Sequence, residues 1–261
     1  MRPSKPIALT IAGSDPSGGA GIQADLKTFH QFGVYGEAVI TLITVQNTLG
    51  VERVECLPED LVAQQIHAVI KDIPPMAVKT GALGNREIID AVAQAAHGFR
   101  FPLVVDPVII SKHGASLLST DAVDALKTQL LPHAFLLTPN LDEAEMLAGI
   151  EVRDLAAMRA AATKLCSLGP QAVLIKGGHL DGEATDILYY QGELAEFTAP
   201  RIDTRHTHGT GCTYSAAITA LLATGVDLRS AVGRAKQYVT EAIRTNPGLG
   251  AGSGPLNHHA Q

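Results

Sequence analysis

The stretch RHTHGTGCTYSAAITALLATG, residues 205–225, joins a polar, glycine-containing turn directly to an apolar helix. Gly209 and Gly211 permit backbone conformations that are closed to other residues, so the N–H groups of residues 209–212 can converge on one point. The helix that follows directs the positive end of its dipole at the same point. Turns of this kind bind anions, and we expect phosphate here. The alternative is a glycine-rich turn that leads into a core helix and binds no ligand.

Cys212 stands in the first turn of this helix. The helix dipole and the nearby N–H groups favour a thiolate, so we expect the pKa of Cys212 to lie below the free value of about 8.5. The thiol could then act as a base, or as a nucleophile with His206 or His208 as its partner in a hydrolase. Cys56 and Cys166 lie outside any glycine turn, and we expect both to be small buried core residues.

Length, composition and charge limit the class of protein. The chain has 261 residues, of which 46% are hydrophobic and 18% are charged. α/β chains of this length commonly fold as one unit, so we expect a single domain over residues 1–261, with a flexible Gly- and Pro-rich tail after about residue 250. The net charge of −6 and the pI near 5.9 offer no basic surface for nucleic acid, so the ligand should be small.

Apolar runs and cysteine spacing bear on the compartment. No run reaches about 18 consecutive apolar residues, and the first apolar run is too short for a secretion signal. We therefore expect no membrane partner and a cytoplasmic protein. Three cysteines without a CxxC spacing predict neither a disulfide framework nor a zinc site, which suits a reducing cytosol.

Apolar runs and helical periodicity alternate along the chain. Short apolar runs predict strands, of which the last two form a hairpin, at residues 6–12, 37–45, 51–57, 76–80, 102–105, 134–137, 172–175, 184–190 and 194–198. Helical spacing predicts helices at residues 22–32, 58–73, 85–96, 154–168 and 228–245, and one more that starts at 140. Uninterrupted apolar strands with helices between them predict an α/β fold, with a mostly parallel sheet covered by helices on both faces.

Polar side chains stand at or just beyond the ends of the predicted strands. They are Asp25, Gln46, Asp106, Asn140, Lys176 and Cys212. Ligands of open α/β sheets bind beside the carboxyl ends of the strands, so we expect these side chains to form one site. An amide such as that of Gln46 can pair with the donors and acceptors of a heterocycle.

Several of these residues also have a purely structural interpretation. Asp25 can compensate a helix dipole, while Asn140 and Glu143 can cap the helix that they begin. Asp106, Asn140 and Glu143 are nevertheless oxygen ligands of the kind that Mg²⁺ prefers. A lysine at a strand end is usually solvated, but before two glycines Lys176 can meet a phosphate as a point charge.

Six motifs that span most of the chain carry a resemblance to a known family. They are AGSDPSGGAGIQADLKT (12–28), VQNT (45–48), VVDPV (104–108), TPNLDEAE (138–145), KGGH (176–179) and HTHGTGCTYSAAI (206–218). In this order they resemble the hydroxymethylpyrimidine and phosphomethylpyrimidine kinases of thiamine biosynthesis, which belong to the ribokinase-like kinases. The resemblance implies a three-layer ribokinase-like fold and a homodimer with the active site near the interface.

The resemblance also implies roles for individual residues. The pyrimidine would be bound or bordered by Gly13, Ala20, Asp25, Gln46, Ala82 and Val108. The anion hole would be formed by Gly209, Thr210, Gly211 and Cys212. Cys212 would occupy the position at which sugar kinases of the superfamily place an aspartate base. Lys176 would contact phosphate during catalysis.

The resemblance implies ATP as the phosphoryl donor and Mg²⁺ as its metal ion. ATP would be bound by Lys176, Thr207, His208 and Lys236. Mg²⁺ would be organised by Asp106, Asn140 and Glu143. The γ-phosphoryl group would pass to the primary hydroxyl of hydroxymethylpyrimidine and then to the resulting monophosphate, through a loose transition state that needs little deprotonation by Cys212.

Three alternatives remain at this point. Pyridoxine or pyridoxal kinase shares the implied fold and chemistry, although the long-chain pyridoxal kinases carry aspartate where this chain has Cys212. A thiol hydrolase and a non-catalytic binding protein are the other two. The chain departs from the family pattern at Ser111-Lys112-His113-Gly114, where A-K-[SG]-G is usual, and at Ala82, where a methionine is common.

Overall fold

In the computed structural model, which describes residues 5–109, 118–178 and 182–261, nine strands form one sheet. The strands are β1 (Ile7–Ser14), β2 (Tyr35–Asn47), β3 (Gly50–Cys56), β4 (Ala77–Thr80), β5 (Leu103–Val105), β6 (Leu136–Leu137), β7 (Ala172–Ile175), β8 (Ala184–Tyr190) and β9 (Glu193–Ala199). Their order across the sheet is β3-β2-β1-β4-β5-β6-β7-β8-β9. The six central strands are parallel, whereas β3, β8 and β9 join the edges by antiparallel pairing.

Helices cover both faces of the sheet. They are α1 (Gly21–Gln31), α2 (Glu59–Asp72), α3 (Arg86–Ala96), α4 (Thr120–Ala125), α5 (Leu141–Ala148), α6 (Leu155–Cys166), α7 (Thr210–Ala223) and α8 (Leu228–Arg244). The alternation of side chains along β7 separates the two cores, because Val173 and Ile175 pack with α2–α6 whereas Ala172 and Leu174 pack with α7 and α8. The predicted three-layer α/β fold is confirmed.

Helix α7 lies at the centre of its layer and contacts α1, α8 and β4. Ten of its fourteen residues are buried, which explains why its sequence is apolar on every side. The helix begins directly after Gly209, whose φ of 78° lies in the left-handed region. The stretch at residues 205–225 therefore determines both the core of this layer and the position of the turn that precedes α7.

Two regions differ from the sequence expectation. The segment after residue 119 had no predicted structure, but α4 continues into a π-helical turn, Leu126–Leu130, and a short 3₁₀ helix, Leu131–His133. The end of β2 was expected to be buried, yet Ile43 and Val45 are half exposed. Beyond the parallel core this strand has β3 as its main neighbour, because the β2–β3 hairpin extends past the other strands.

The C-terminal tail is irregular chain that folds back over the ligand edge of the sheet. Ser253 N–H donates to Thr48 O over 2.8 Å, and His208 N–H donates to Gly254 O over 3.1 Å. Leu256 in this tail is buried. Among the described residues, no helix is both long enough and apolar enough to cross a membrane.

Candidate active site

The carboxyl ends of the parallel strands open into a cavity of about 800 Å³. Every site residue expected from the sequence, except Asp25, lines this cavity. These residues are Gly13, Ala20, Gln46, Ala82, Asp106, Val108, Asn140, Glu143, Lys176, Thr207, His208, Gly209, Thr210, Gly211, Cys212 and Lys236. Residues far apart in sequence meet here because parallel strands bring their carboxyl ends to one edge.

The turn before α7 has the geometry of an anion site. A Cβ atom at Gly209 would overlap the carbonyl oxygen of Gly19, so both the contact and the positive φ require glycine. The Thr210 N–H bonds to Thr207 O at 3.3 Å, and the Thr213 N–H bonds to Gly209 O at 2.8 Å. Between them, the N–H groups of Gly211 and Cys212 have no intrahelical acceptor, because they stand at the start of the helix. A Cβ at Gly211 would lie 3.1 Å from Lys176 Nζ, so a cation stands directly beside the turn.

Asp106 holds Lys176 in place. Asp106 Oδ1 accepts from Lys176 Nζ at 3.0 Å, and its Oδ2 accepts from Ser215 Oγ of α7 at 3.1 Å. Burial opposes the charge on both groups, but each stabilises the other, so the pKa of Asp106 is lowered and the pKa of Lys176 is raised. The lysine thus presents a fixed positive charge to the cavity.

Asn140 and Glu143 cap α5 as their structural interpretation predicted. Asn140 Oδ1 accepts from Glu143 N–H and Glu143 Oε2 accepts from Asn140 N–H, both at 2.9 Å. Burial raises the pKa of Glu143 to about 7, against the attraction of Lys176. Both residues line the cavity as well, so the cap also contributes to its wall. Within the described residues, no cluster of three or more His, Cys, Asp or Glu side chains is arranged to hold a metal ion.

The expectation that Cys212 has a lowered pKa is wrong. Burial at the floor of the cavity raises the pKa of the Cys212 thiol to about 11, and the carboxylates of Asp25 and Asp106 add to this effect. The positive charge of Lys79 favours the thiolate, but its effect is too small to reverse this rise in the pKa. The thiol is therefore neutral at physiological pH, because desolvation and nearby anions outweigh the charge of Lys79 and the hydrogen bond from the Gly21 N–H.

Asp25 lies beneath the cavity rather than in it. Its two oxygens accept from Lys79 Nζ at 3.0 and 2.8 Å, and Thr10 Oγ1 donates to Oδ2 at 2.6 Å. Asp25 and Lys79 are both fully buried, so the pyrimidine contact expected of Asp25 is not what this geometry provides. Lys79 was missed, although a lysine within the apolar run AVKT signals a buried partner.

The His208 side chain faces the expected pyrimidine residues rather than the nucleotide side to which the resemblance assigned it. Its Nε2 lies 2.8 Å from Asp15 Oδ2 and 3.1 Å from Gln46 Nε2. Asp15 also accepts from Ser17 N–H and Ala20 N–H, both at 2.9 Å, and so organises the glycine-rich loop after β1. Asp15 was missed because an aspartate in a GSDPSGG loop has the composition of an ordinary turn.

The opposite half of the cavity combines a buried ion pair with an apolar wall. Lys236 Nζ donates to Asp186 Oδ2 at 2.7 Å, and Asp186 Oδ1 accepts from Gly177 N–H at 3.0 Å. Asp186, which the sequence did not indicate, thereby connects Lys236 to the turn after Lys176. The apolar wall is formed by Pro200, Ile202, Val239 and Ile243.

The loop after β5 enters the cavity in a strained conformation. Val108 has a φ of 37°, in the left-handed region that β-branched residues avoid. Such strain is concentrated at functional sites, and Ile109 N–H beside it donates to Glu143 Oε1 at 3.3 Å. The departure from the family pattern at Ser111-Lys112-His113-Gly114, and His179 of the KGGH motif, lie outside the described residues.

Comparisons with known proteins identify the family of the chain. Residues 15–257 match the family described as phosphomethylpyrimidine kinase. The hydroxymethylpyrimidine/phosphomethylpyrimidine kinase of Streptomyces coelicolor is 48% identical over 97% of this chain and 94% of its own length. The crystal structure of phosphomethylpyrimidine kinase from Clostridium difficile is 47% identical, with a TM-score of 0.82 over 92% of this chain and all of that one. The ADP complex of Bacillus subtilis pyridoxal kinase is 39% identical, with a TM-score of 0.91 over 98% of both chains.

Proposed function

Because this chain belongs to the phosphomethylpyrimidine kinase family, we propose that it transfers the γ-phosphoryl group of ATP to hydroxymethylpyrimidine, and then to the monophosphate so formed, in thiamine biosynthesis. One observation carries the proposal: the anion turn borders both halves of a single cavity. His208 at its start contacts Gln46, and Lys176 beside it leads to Gly177, which is bonded to Asp186. The half that contains Gln46 suits a pyrimidine, and the half that contains Asp186 suits a nucleotide.

The anion turn and Lys176 supply the electrostatic part of the reaction. In a loose phosphoryl transfer, negative charge is spread over the oxygens of the moving group, and positioning with neutralisation accounts for most of the rate. Lys176, held by Asp106, and the first-turn N–H groups of α7 are fixed before substrate arrives. They therefore stabilise the transition state without reorganising.

Cys212 acts as a neutral side chain in this scheme. Its raised pKa leaves little thiolate at physiological pH, so it neither attacks the phosphoryl group nor serves as a strong base. The hydroxyl needs little deprotonation before the bond to phosphorus forms. We assign Cys212 to shaping the floor where the hydroxymethyl group is seated.

The nucleotide half and the metal ion follow from the charges on the cavity wall. The apolar wall that includes Ile202 and Val239 suits a purine ring, and Lys236 lies at its edge. Mg²⁺ binds phosphate oxygens, waters and one or two carboxylates, which fits Asp106 and Glu143, with Asn140 holding Glu143 in place. The ion would neutralise part of the charge of the phosphates.

We propose that the protein is a homodimer that associates through the β2–β3 hairpin. Ile43, Val45 and Leu49 on this hairpin are 49%, 50% and 67% exposed, and exposed apolar patches mark interfaces. Val51 of the same hairpin lines the cavity, so the site would lie near the interface. Light scattering after size exclusion should show a dimer that Val45→Glu converts to a monomer, whereas a monomeric wild type would contradict this proposal.

We also propose that residues 1–261 act as one domain, since a single sheet runs through the described residues. A cytoplasmic location is proposed on chemical grounds. ATP is supplied there, and the three cysteines, which are free thiols in the structure, would remain reduced.

The kinase assignment is tested by coupled ADP release with hydroxymethylpyrimidine, its monophosphate and pyridoxine in parallel. Turnover of both pyrimidines is expected. Pyridoxal kinase is the second candidate, supported by the TM-score of 0.91 to the B. subtilis enzyme. A higher kcat/KM for pyridoxine than for hydroxymethylpyrimidine would favour that candidate. The absence of ADP release with all three compounds would contradict both candidates.

A further inference from the structure

His208 joins three segments around the pyrimidine half of the cavity. Its Nε2 contacts Asp15 in the loop after β1 and Gln46 at the end of β2, and its backbone N–H bonds to Gly254 of the tail. His208 and Asp15 are 4% and 3% exposed, so water does not compete for their contact. The protonation of one nitrogen, Nε2, therefore decides how this cluster is bonded.

Asp15 requires a proton on Nε2 of His208. The Asp15 carboxylate accepts from the N–H and hydroxyl of Ser17 and from the N–H of Ala20, and such donors favour the ionised form. Burial would raise the pKa of Asp15, but the bonds from His208 and Ser17 lower it. An ionised oxygen 2.8 Å from Nε2 can only accept, so Nε2 must donate.

The proton on Nε2 in turn decides which end of the Gln46 amide faces His208. If the Gln46 amide nitrogen faces His208 Nε2 at 3.1 Å, two N–H donors oppose each other. If the Gln46 amide oxygen takes that place, it accepts from the Nε2–H group. A half-turn about the last side-chain torsion exchanges the two atoms without moving the rest of Gln46. This argument holds for the neutral ring and for the imidazolium, since both carry the proton on Nε2.

We infer that His208, held by Asp15, is a positioning residue that fixes the oxygen of Gln46 toward itself and the amino group of Gln46 toward the cavity. Gln46 then offers N–H donors to the substrate, and the substrate must bring an acceptor in its ring plane. A ring nitrogen of an aminopyrimidine is such an acceptor, whereas its exocyclic amine is not. The identity of the acceptor rests on the proposed function, but the orientation of the amide does not.

The proton on Nε2 of His208, on which the amide orientation depends, is tested without any substrate. Protein labelled with ¹⁵N-histidine is examined by long-range ¹H–¹⁵N correlation, and the signal of His208 is identified by its loss in His208→Gln. We expect a protonated Nε2. An unprotonated Nε2 would overturn the inference, because the ring would then accept from the Gln46 amino group.

The recognition step is tested by calorimetric binding of hydroxymethylpyrimidine and two analogues. In one, the ring nitrogen beside the amine is replaced by carbon, and in the other the amine is replaced by hydrogen. Wild type should bind the first analogue at least about tenfold more weakly than hydroxymethylpyrimidine and the second less than about threefold more weakly, because only the first analogue leaves the Gln46 amino group without an acceptor. A larger loss for the second analogue would overturn the acceptor assignment.

Variants separate positioning by His208 from a merely structural role. His208→Leu lets the amide turn freely, so the difference between the two analogues should shrink to less than about threefold. His208→Gln restores a donor and should recover most of the difference, and His67→Leu on the exposed face of α2 is the matched control. An unchanged difference in His208→Leu would reject the positioning role. Failure to bind hydroxymethylpyrimidine together with a protonated Nε2 would reject the proposed function and leave the amide orientation intact.

Discussion

Two buried lysine–carboxylate pairs lie at the same edge of the sheet and differ in access to solvent. Lys79 and Asp25 are 2.8 Å apart with no exposed side-chain surface, whereas Lys176 and Asp106 are 3.0 Å apart and Lys176 keeps 15% of its side chain exposed. Residue types, distance and position in the fold are similar. Lys79 borders the cavity although none of its side chain is exposed, whereas Asp25 does not line the cavity. We infer from the difference that the sealed pair supports the site from below and the open pair acts on the ligand.

Breaking the sealed pair should have the largest effect. Lys79→Met would leave Asp25 as an uncompensated buried charge, so the free energy of unfolding should fall by about 3–5 kcal/mol at pH 8. The loss should be smaller at pH 5, because burial raises the pKa of Asp25 and allows it to take up a proton.

Urea denaturation of wild type, Lys79→Met and the double variant Lys79→Met/Asp25→Leu measures this effect. The double variant replaces both charges by apolar groups and should recover at least half of the loss. A single variant within about 1 kcal/mol of wild type at pH 8 would show that the pair does not stabilise the fold in the way described.

Removing the open lysine should instead affect catalysis. Lys176→Met loses the charge beside the anion turn, so kcat/KM for ATP should fall by at least about 100-fold, or roughly 2.7 kcal/mol, in line with other lost transition-state donors. Lys164→Met, on an exposed face of α6, is the matched control and should leave activity unchanged. Unchanged kinetic parameters for ATP in Lys176→Met would remove Lys176 from the site.

The same contrast shows what sequence can and cannot reveal about a site. Asp106 and Lys176 were predicted because each follows an apolar strand, and the topology of parallel sheets brings strand ends together. Lys79 was missed because its partner Asp25 lies 54 residues away, and only the fold shows that the two meet. Asp25 was predicted to bind the ligand because its position in the sequence resembles that of a site residue. Its ion pair with Lys79 is visible only in the fold.

Local chemistry was predicted less well than topology. The layered fold and most strand positions follow from apolar periodicity, but the pKa of Cys212 depends on burial and on charges contributed by other elements. The orientation of His208 likewise depends on Asp15, which is 193 residues away. A property that depends on many long-range contacts cannot be predicted from a single stretch of sequence.

Cys212→Ser should have a modest effect on activity. A neutral thiol that only shapes the floor can be replaced by a hydroxyl, so kcat/KM for hydroxymethylpyrimidine should fall by less than about tenfold, or 1.4 kcal/mol. Steady-state kinetics of wild type and variant measure this, and mass spectrometry after substrate should show no adduct on Cys212. Complete loss of activity, or a phosphoryl adduct on the thiol, would contradict the role given to this residue.

The smallest effect concerns a buried carboxyl away from the site. Burial, assisted by Asp72, raises the pKa of Glu37 to about 7 from a usual value of 4.5. The folded state therefore holds this proton more tightly than the unfolded state, and the resulting stability is present below pH 4.5 and lost as the pH rises through 7. Glu37→Gln removes the cost of ionising this buried carboxyl and should raise the free energy of unfolding at pH 8, with no gain at pH 4.5.

Thermal unfolding of wild type and Glu37→Gln at both pH values checks this expectation. Glu52→Gln, at an exposed position of β3, serves as the control for the loss of one negative charge. An equal gain at pH 4.5 and pH 8 would show that the effect does not arise from ionisation of Glu37.

Calorimetric titration with ADP tests the contrast between the two pairs most directly. Wild type, Lys176→Met and the double variant Lys79→Met/Asp25→Leu are titrated under one condition, after their folded state is verified. Lys176→Met should bind ADP at least about tenfold more weakly than wild type, a loss of 1.4 kcal/mol, while the double variant should remain within about threefold. Equal weakening in both variants, or full affinity in Lys176→Met, would contradict the assignment of the open pair to the phosphates and of the sealed pair to the scaffold.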